Sequence, residues 1–142
     1  MAATSVQFTV AAHVMAALGF YHGKGIASAI LARSVNANPS FVRKSLAKLS
    51  KAGLVVTTRG KNGGSVLARS PKRITLLDIY RLSGAPPAFA MHAYPVEKRC
   101  PISCTVKECM STVLERAQGS VEKALGRITL AEVVEEIRRK AR

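Results

Sequence analysis

The stretch "TTRGKNGGSVLARS", residues 57 to 70, sets Arg59, Lys61 and Asn62 among Gly60, Gly63 and Gly64. Glycine lets a backbone turn tightly and approach another group closely, yet a hairpin by itself needs only one or two. The surplus, with cations beside it, predicts a hairpin tip that enters the narrow minor groove of a nucleic-acid duplex, where arginine is drawn by enhanced negative potential. In that reading Arg59 takes the groove, while Lys61 and Asn62 take the backbone. A nucleotide-binding glycine loop would need a helix directly after the glycines and a Ser or Thr after the lysine. Neither is present.

A second stretch, "NPSFVRK" (38–44), opens a basic segment. Pro39 suits the first position of a helix. Free N–H groups at such an end would favour a phosphate. From the N-terminal end of a helix lying in a major groove, Ser40, Phe41 and Arg43 are placed to reach base edges. Arginine can bond guanine through two hydrogen bonds and phenylalanine can touch a thymine methyl. Lys44, Lys48 and Lys51 are expected to hold phosphates and set register. Phe41 has a competing reading as a core residue beside Val42, and Lys48 and Lys51 as plain solvated charges.

The third stretch, "CPISCTVKEC", places Cys100, Cys104 and Cys109 within ten residues. If Pro101 begins a helix, Cys100 caps it and Cys104 lies one turn on. Cys109 is then roughly 140° further round, so one rigid helix would not aim all three thiols at one metal. A helix N-terminus flanked by Lys98 and Arg99 favours thiolate chemistry, which makes Cys100 a candidate redox sensor with Cys104 as its resolving partner. An odd count argues against a disulfide framework. A redox switch, a metal site and ordinary thiols all stay open.

The charge around these stretches is lopsided. The chain has 142 residues and a formal net charge of +14. Residues 1 to 77 hold eleven basic residues and no acid, and all eight acids lie at or after Asp78. A half-chain that is nearly pure cation suits a polyanion. It also removes most acid–base options, and no Ser/His/Asp order or paired carboxylate stands out, so an enzyme is not expected. An RNA-coating protein would call for stacking aromatics, but there are four Phe, three Tyr and no Trp. No apolar run approaches the roughly 20 residues of a membrane span. The first residues lack the basic start of a signal peptide. The expected location is the cytoplasm.

The elements that must position these residues follow from periodicity and caps. Thr4-Ser5-Val6-Gln7 fits a capping box before a helix carrying Val6, Val10 and Val14, broken by Gly19, Gly23 and Gly25. His13 and His22, on or near this helix, read as structural. A second helix covers "SAILARSV" with Ser28 as N-cap, and "PSFVRKSLAKLSKAG" forms a third with an apolar stripe of Val42, Leu46 and Leu49, ended by Gly53. Two β-type runs (54–58 and 65–69) flank the glycine turn. A capped helix from Thr75 ends at Gly84. Residues 85 to 101 form a loop. A long helix over 102–128 carries Val106, Met110, Val113, Ala117, Val121 and Ala124, the narrow seam of a helix pair. The last helix, in 129–142, opens with the capping box Thr129 to Glu132, with Glu135–Arg139 and Glu136–Lys140 as i,i+4 pairs. The fold class is mainly α with a small β-hairpin wing. It reads as a winged helix-turn-helix domain (1–84) plus a long C-terminal dimerisation helix, with the last helix packing back on the N-terminal domain.

"IASAILARSVNANPSFVRKSLAKLSKAGLV", "RGKNGGSVLARSPKRITLLDIYRL" and "CPIS…TLAEV" closely resemble the Rrf-type winged-helix transcriptional regulators, whose members include IscR-like, NsrR-like, CymR-like and YwnA-like proteins. The resemblance runs from about residue 5 to about residue 135. It implies a homodimeric, sequence-specific DNA-binding regulator, a repressor, bound to a palindromic operator on double-stranded DNA through its recognition helix (Ser40, Arg43) and wing (Arg59). Ser28 joins Ser40, Phe41, Arg43, Lys44, Lys48, Arg59, Lys61 and Asn62 in the expected DNA-contacting set. IscR-like members often carry an acid where this chain has Arg43, so its operator should differ from theirs. Some members hold an iron–sulfur cluster through three cysteines in this region. Their spacing is wider, and the YwnA-like members match "CP" plus an aliphatic residue and generally carry no cluster. A cluster here would also need a fourth ligand from Glu97, Glu108 or His92. The signal is therefore read as redox or a small molecule, with a cluster-sensing regulator or a non-specific nucleic-acid-binding protein as alternatives.

Overall fold

Six helices and one two-stranded sheet follow in the order α1 (Gln7–Phe20), α2 (Ser28–Val35), α3 (Pro39–Lys51), β1 (Val55–Thr58), β2 (Gly64–Leu67), α4 (Leu76–Leu82), α5 (Pro101–Gly126) and α6 (Leu130–Lys140), with one 3-10 turn at Pro71–Arg73. They are seen in a computed structural model that describes residues 5–61 and 63–141. Asn62, one of the expected wing contacts, and Thr4 of the expected first cap lie outside the described residues. The chain forms two compact units. One runs up to Ala85 and resumes at Leu125, and the other is Pro86–Ala124.

In the first unit α1 is the central helix, touching α2, α3, α4, α6 and β2. Its packed stripe is Ala11, Val14, Met15 and Leu18, each no more than 1% exposed. Val6, the start of the expected stripe, is exposed instead. Val6 is also the helix N-cap, with no side-chain cap bond. Ser5 Oγ meets Gln7 Oε1 at 3.4 Å. Gly19 does not break α1; it is buried inside the helix. A Cβ there would lie 2.8 Å from Val134 Cγ2, so the missing side chain lets α6 pack close. Val42, Leu46 and Leu49 of α3 complete the core with Leu31, Leu54, Ile74, Ile79 and Leu130.

Two capping boxes lie side by side. Thr75 with Asp78 opens α4 and Thr129 with Glu132 opens α6, as their sequence patterns predict. Leu76 N–H donates to Ile128 O at 2.9 Å and Leu130 N–H to Ile74 O at 2.8 Å, tying the two helix starts together. α5 ends at Gly126, and Ile128 N–H then turns back onto Leu125 O and joins that pairing. At the far end of α6, Arg138 donates to Phe20 O at 2.9 Å and lies over its ring. Glu136 pairs with both Lys140 (3.2 Å) and Arg139. Arg139 thus takes the i,i+3 partner instead of the expected Glu135. No residue of α5 is buried along its 26 positions, of which all but the last two, Leu125 and Gly126, belong to the second unit.

Candidate nucleic-acid interface

β1 and β2 pair antiparallel with Val55 opposite Leu67 and Thr58 opposite Gly64, which leaves residues 59–63 as the tip. The expected runs at 54–58 and 65–69 shift slightly, since Leu54 turns into the core and Gly64 joins the ladder. A third segment docks on this hairpin: Ile26 N–H donates to Ser65 O at 3.0 Å and Ser65 N–H to Ile26 O at 2.9 Å. Ser65 is buried and its hydroxyl meets Thr57 Oγ1 at 3.1 Å. These bonds fix the wing to the chain just ahead of α2.

The glycines divide by task, and not as the sequence suggested. A Cβ on Gly64 (φ +141°) would sit 2.6 Å from Ile26 N, and one on Gly63 would collide with the Thr58 carbonyl. Both serve close approach to their own chain. Gly60 (φ +113°) has no described atom near its missing Cβ, so it alone of the three supplies an open tip. Arg59 and Lys61 flank it, both exposed.

Between α3 and the wing lies a groove of about 490 Å³ whose lining includes Ser28, Arg43, Ala47, Ser50, Thr58 and Gly60. It brings together the start of α2, one flank of α3 and the wing. Sequence reasoning missed Ala47, Ser50 and Thr58; the helical spacing of 43, 47 and 50 carried that signal. Ser28 is the first residue of α2, not its cap. Ala27 is the N-cap and offers no side-chain bond, since alanine has no oxygen to give. Ser40, Lys44 and Lys51 are exposed on α3. The expected free N–H groups at the start of α3 are already taken. Pro39 has none, Ser40 N–H donates to Asn38 Oδ1 at 2.8 Å, and Phe41 and Val42 donate to Asn38 O.

Phe41 and Lys48 fall on the other flank. With Gln7, Lys44, Ser45 and Ser83 they line a separate cavity of about 220 Å³. Phe41 is 37% exposed, neither core nor fully free. Lys48 Nζ reaches Ser83 O at 3.5 Å, at the C-terminal end of α4, where a cation complements the helix dipole. His13 Nε2 lies 3.0 Å from Ser34 Oγ, linking α1 to α2 in keeping with a structural role.

The cysteines sit at the start of α5. Cys100 precedes Pro101 and its Sγ accepts from Ser103 N–H at 3.4 Å, so a thiol stands where a capping oxygen would. The Cys104 thiol donates to Lys98 O (3.6 Å) and Glu97 O (3.9 Å). Cys109 is exposed, five residues along the same unbroken helix. Among the described residues no three His, Cys, Asp or Glu side chains come together in a metal-holding group. The donor set as arranged does not fit an iron–sulfur cluster. No helix among the described residues is long and apolar enough to cross a membrane.

Comparison with known proteins agrees with this geometry. The family model for Rrf2, described as an iron-dependent transcriptional regulator, matches residues 4–136. The chain is 30% identical over 129 residues to the HTH-type transcriptional regulator YwnA of Bacillus subtilis (strain 168), covering 90% of this chain and 94% of that protein. Among solved structures, CymR (YrzC), the global cysteine regulator of B. subtilis, superposes with a TM-score of 0.69 at 24% identity, over 96% of this chain and 98% of that one. IscR of T. potens superposes with a TM-score of 0.71 at 24% identity, over 95% and 88%. Both carry the same winged-helix fold.

Proposed function

The chain belongs to the Rrf2 family of transcriptional regulators, and from that premise we propose that it is a homodimeric repressor that binds a palindromic operator in the cytoplasm. It is a regulator rather than an enzyme. The observation that carries the reading is the groove between α3 and the wing, set in an acid-free half-chain. Ser40 and Arg43 read base edges. Arg59 enters the minor groove beside Gly60. Ser28, Lys44 and Lys61 hold phosphates. Lys48 is assigned to α4 instead, and Phe41 to the flank away from the wing. Support for the dimer comes from α5, where Met110 and Val113 are 40% and 52% exposed on the seam. A helix that exposes such a seam has its apolar burial still to gain. Domain roles follow: the first unit binds DNA and α5 pairs the two copies.

The signal is read in the second unit, by redox at Cys100 and Cys104 or by a small molecule. Oxidation by hydrogen peroxide would remove two electrons and two protons from the two thiols, forming one disulfide and two waters. Alkylation of Cys100 and Cys104 blocked by prior peroxide, and restored by a dithiol, is the expected result. Unchanged labelling would sink the redox arm.

Gel-shift competition tests the whole reading. A labelled palindromic promoter fragment should resist bulk DNA and RNA competitors, with binding that weakens steeply as salt rises. Equal displacement by all three would mean a non-specific nucleic-acid-binding protein. Val113→Glu should convert the dimer to a monomer in sedimentation and weaken the operator complex with it.

A further inference from the structure

The second unit holds a cavity that the DNA-binding reading does not use. The segment from Pro87 to Met91 lies along α5, held by Gln118 Oε1, which accepts from Ala88 N–H at 2.9 Å. Between segment and helix is a space of about 450 Å³, lined by Phe89, Met91, Leu114, Glu115, Gln118 and Glu122 among others. That volume falls within the range of small-molecule sites. Phe89 is 60% exposed, presenting a ring to the opening rather than filling it.

The chemistry of the lining points to one class of occupant. The protein carries +14, yet the open charge on this wall is the exposed carboxylate of Glu115, with Glu122, which has an interaction partner of its own, further along. Together with Glu108 they recur every seven residues, so all three acids of α5 share one stripe. Arg116 and Lys123 line a different groove, on another side of the helix. The cavity therefore combines an aromatic ring, a thioether, aliphatic walls and negative charge. A cation with an apolar body gains from all of these at once: ring quadrupole, carboxylate and buried area. An anion of the same shape meets repulsion.

The position also leaves the site usable in a dimer. Positions 115, 118 and 122 lie roughly 110–170° around the helix from the centre of the seam of Val106, Met110, Val113 and Ala117, and position 114 lies between them and the seam. Pairing through the seam would leave this wall open.

We infer that the space between residues 87–91 and α5 is an effector site for a small organic cation with an aromatic or bulky apolar body. Binding there would set the position of the 87–91 segment on α5. A change in operator affinity on binding rests on the regulator reading above; the binding itself does not.

The test uses the full-length chain and tetraphenylphosphonium, with tetraphenylborate as its counterpart of equal shape and opposite charge. Titration calorimetry should show one cation bound per chain, and a separate titration with the borate alone should show no binding that Phe89→Ala removes. Glu115→Gln and Phe89→Ala should each weaken binding about tenfold, the scale of one lost charge or ring contact. Glu108→Gln, on the same stripe but outside the lining, should leave affinity within about twofold, as expected for a screened charge. An equal fall for Glu108→Gln would mean that only the general field attracts the cation, and no site exists. Failure of the cation to bind would also overturn the inference. So would a Phe89→Ala chain that loses dimer affinity in sedimentation while the wild type binds no cation, which would assign the groove to a second copy. Circular dichroism of each variant separates loss of site from loss of fold. Calorimetry without DNA separates failure of the effector site from failure of the regulator reading, which the gel shift alone would report.

Discussion

The two flanks of α3 carry similar residues and do different work. On the wing side, Arg43, Ala47 and Ser50 face β1, Gly60 and the start of α2 across an open groove. On the other side, Phe41, Ser45 and Lys48 face Gln7 and Ser83. Both flanks are cationic and both border the same buried stripe of Val42, Leu46 and Leu49. The difference is the neighbour. One flank meets a hairpin with an open tip and the threonines of β1. The other meets α1 and the carbonyl end of α4, which takes up the Lys48 charge. A cation on an exposed helix thus says that a charge is available, and the packing of the next element decides whether nucleic acid or protein receives it.

The largest expected effect breaks the wing side altogether. Gly64→Val puts a branched side chain into the backbone of Gly25 and Ile26, at a φ that valine avoids. The expected loss is on the order of 3 kcal/mol of stability, read by thermal unfolding, with specific DNA binding lost alongside. A variant that melts normally would show that the wing is not held by this contact. Next comes Arg43→Ala, which should lower specific operator affinity by about 1–3 kcal/mol and relax specificity at one base pair. An equal fall on random DNA would make Arg43 a phosphate clamp.

Smaller effects sharpen the contrast. Lys61→Ala, at the exposed wing tip, should weaken binding evenly across sequences and reduce the salt slope by about 1. Lys48→Ala should leave that slope unchanged and cost only about 0.3–1 kcal/mol of stability, through the lost cation at the end of α4. If Lys48→Ala moved the salt slope as much as Lys61→Ala does, the division between the flanks would fail.

Much of the architecture was legible because it rests on local rules. Val42, Leu46 and Leu49 repeat at helical spacing, and Thr75 with Asp78 and Thr129 with Glu132 write their caps within four residues. The order of helices, hairpin and long helix, and the acid-free half-chain, needed no coordinates. Readings that failed were those decided by local backbone geometry or by a distant partner. Ser28 looks like a cap until Ala27 is seen to hold that position. Gly19 looks like a helix breaker until Val134 packs on it from more than a hundred residues away. Asn38 takes up N–H groups that seemed free for a phosphate.

Sequence by itself therefore determined the elements, the polarity of the chain and the family, because spacing, capping and charge are properties of neighbours along the backbone. Only the tertiary structure decided which face each element presents. The wing glycines show why. Their number suggested a backbone prepared for a foreign chain, but two of them lie against Thr58, Gly25 and Ile26, where any Cβ would collide. Steric exclusion of that kind depends on atoms brought together by the fold, and no local pattern records it.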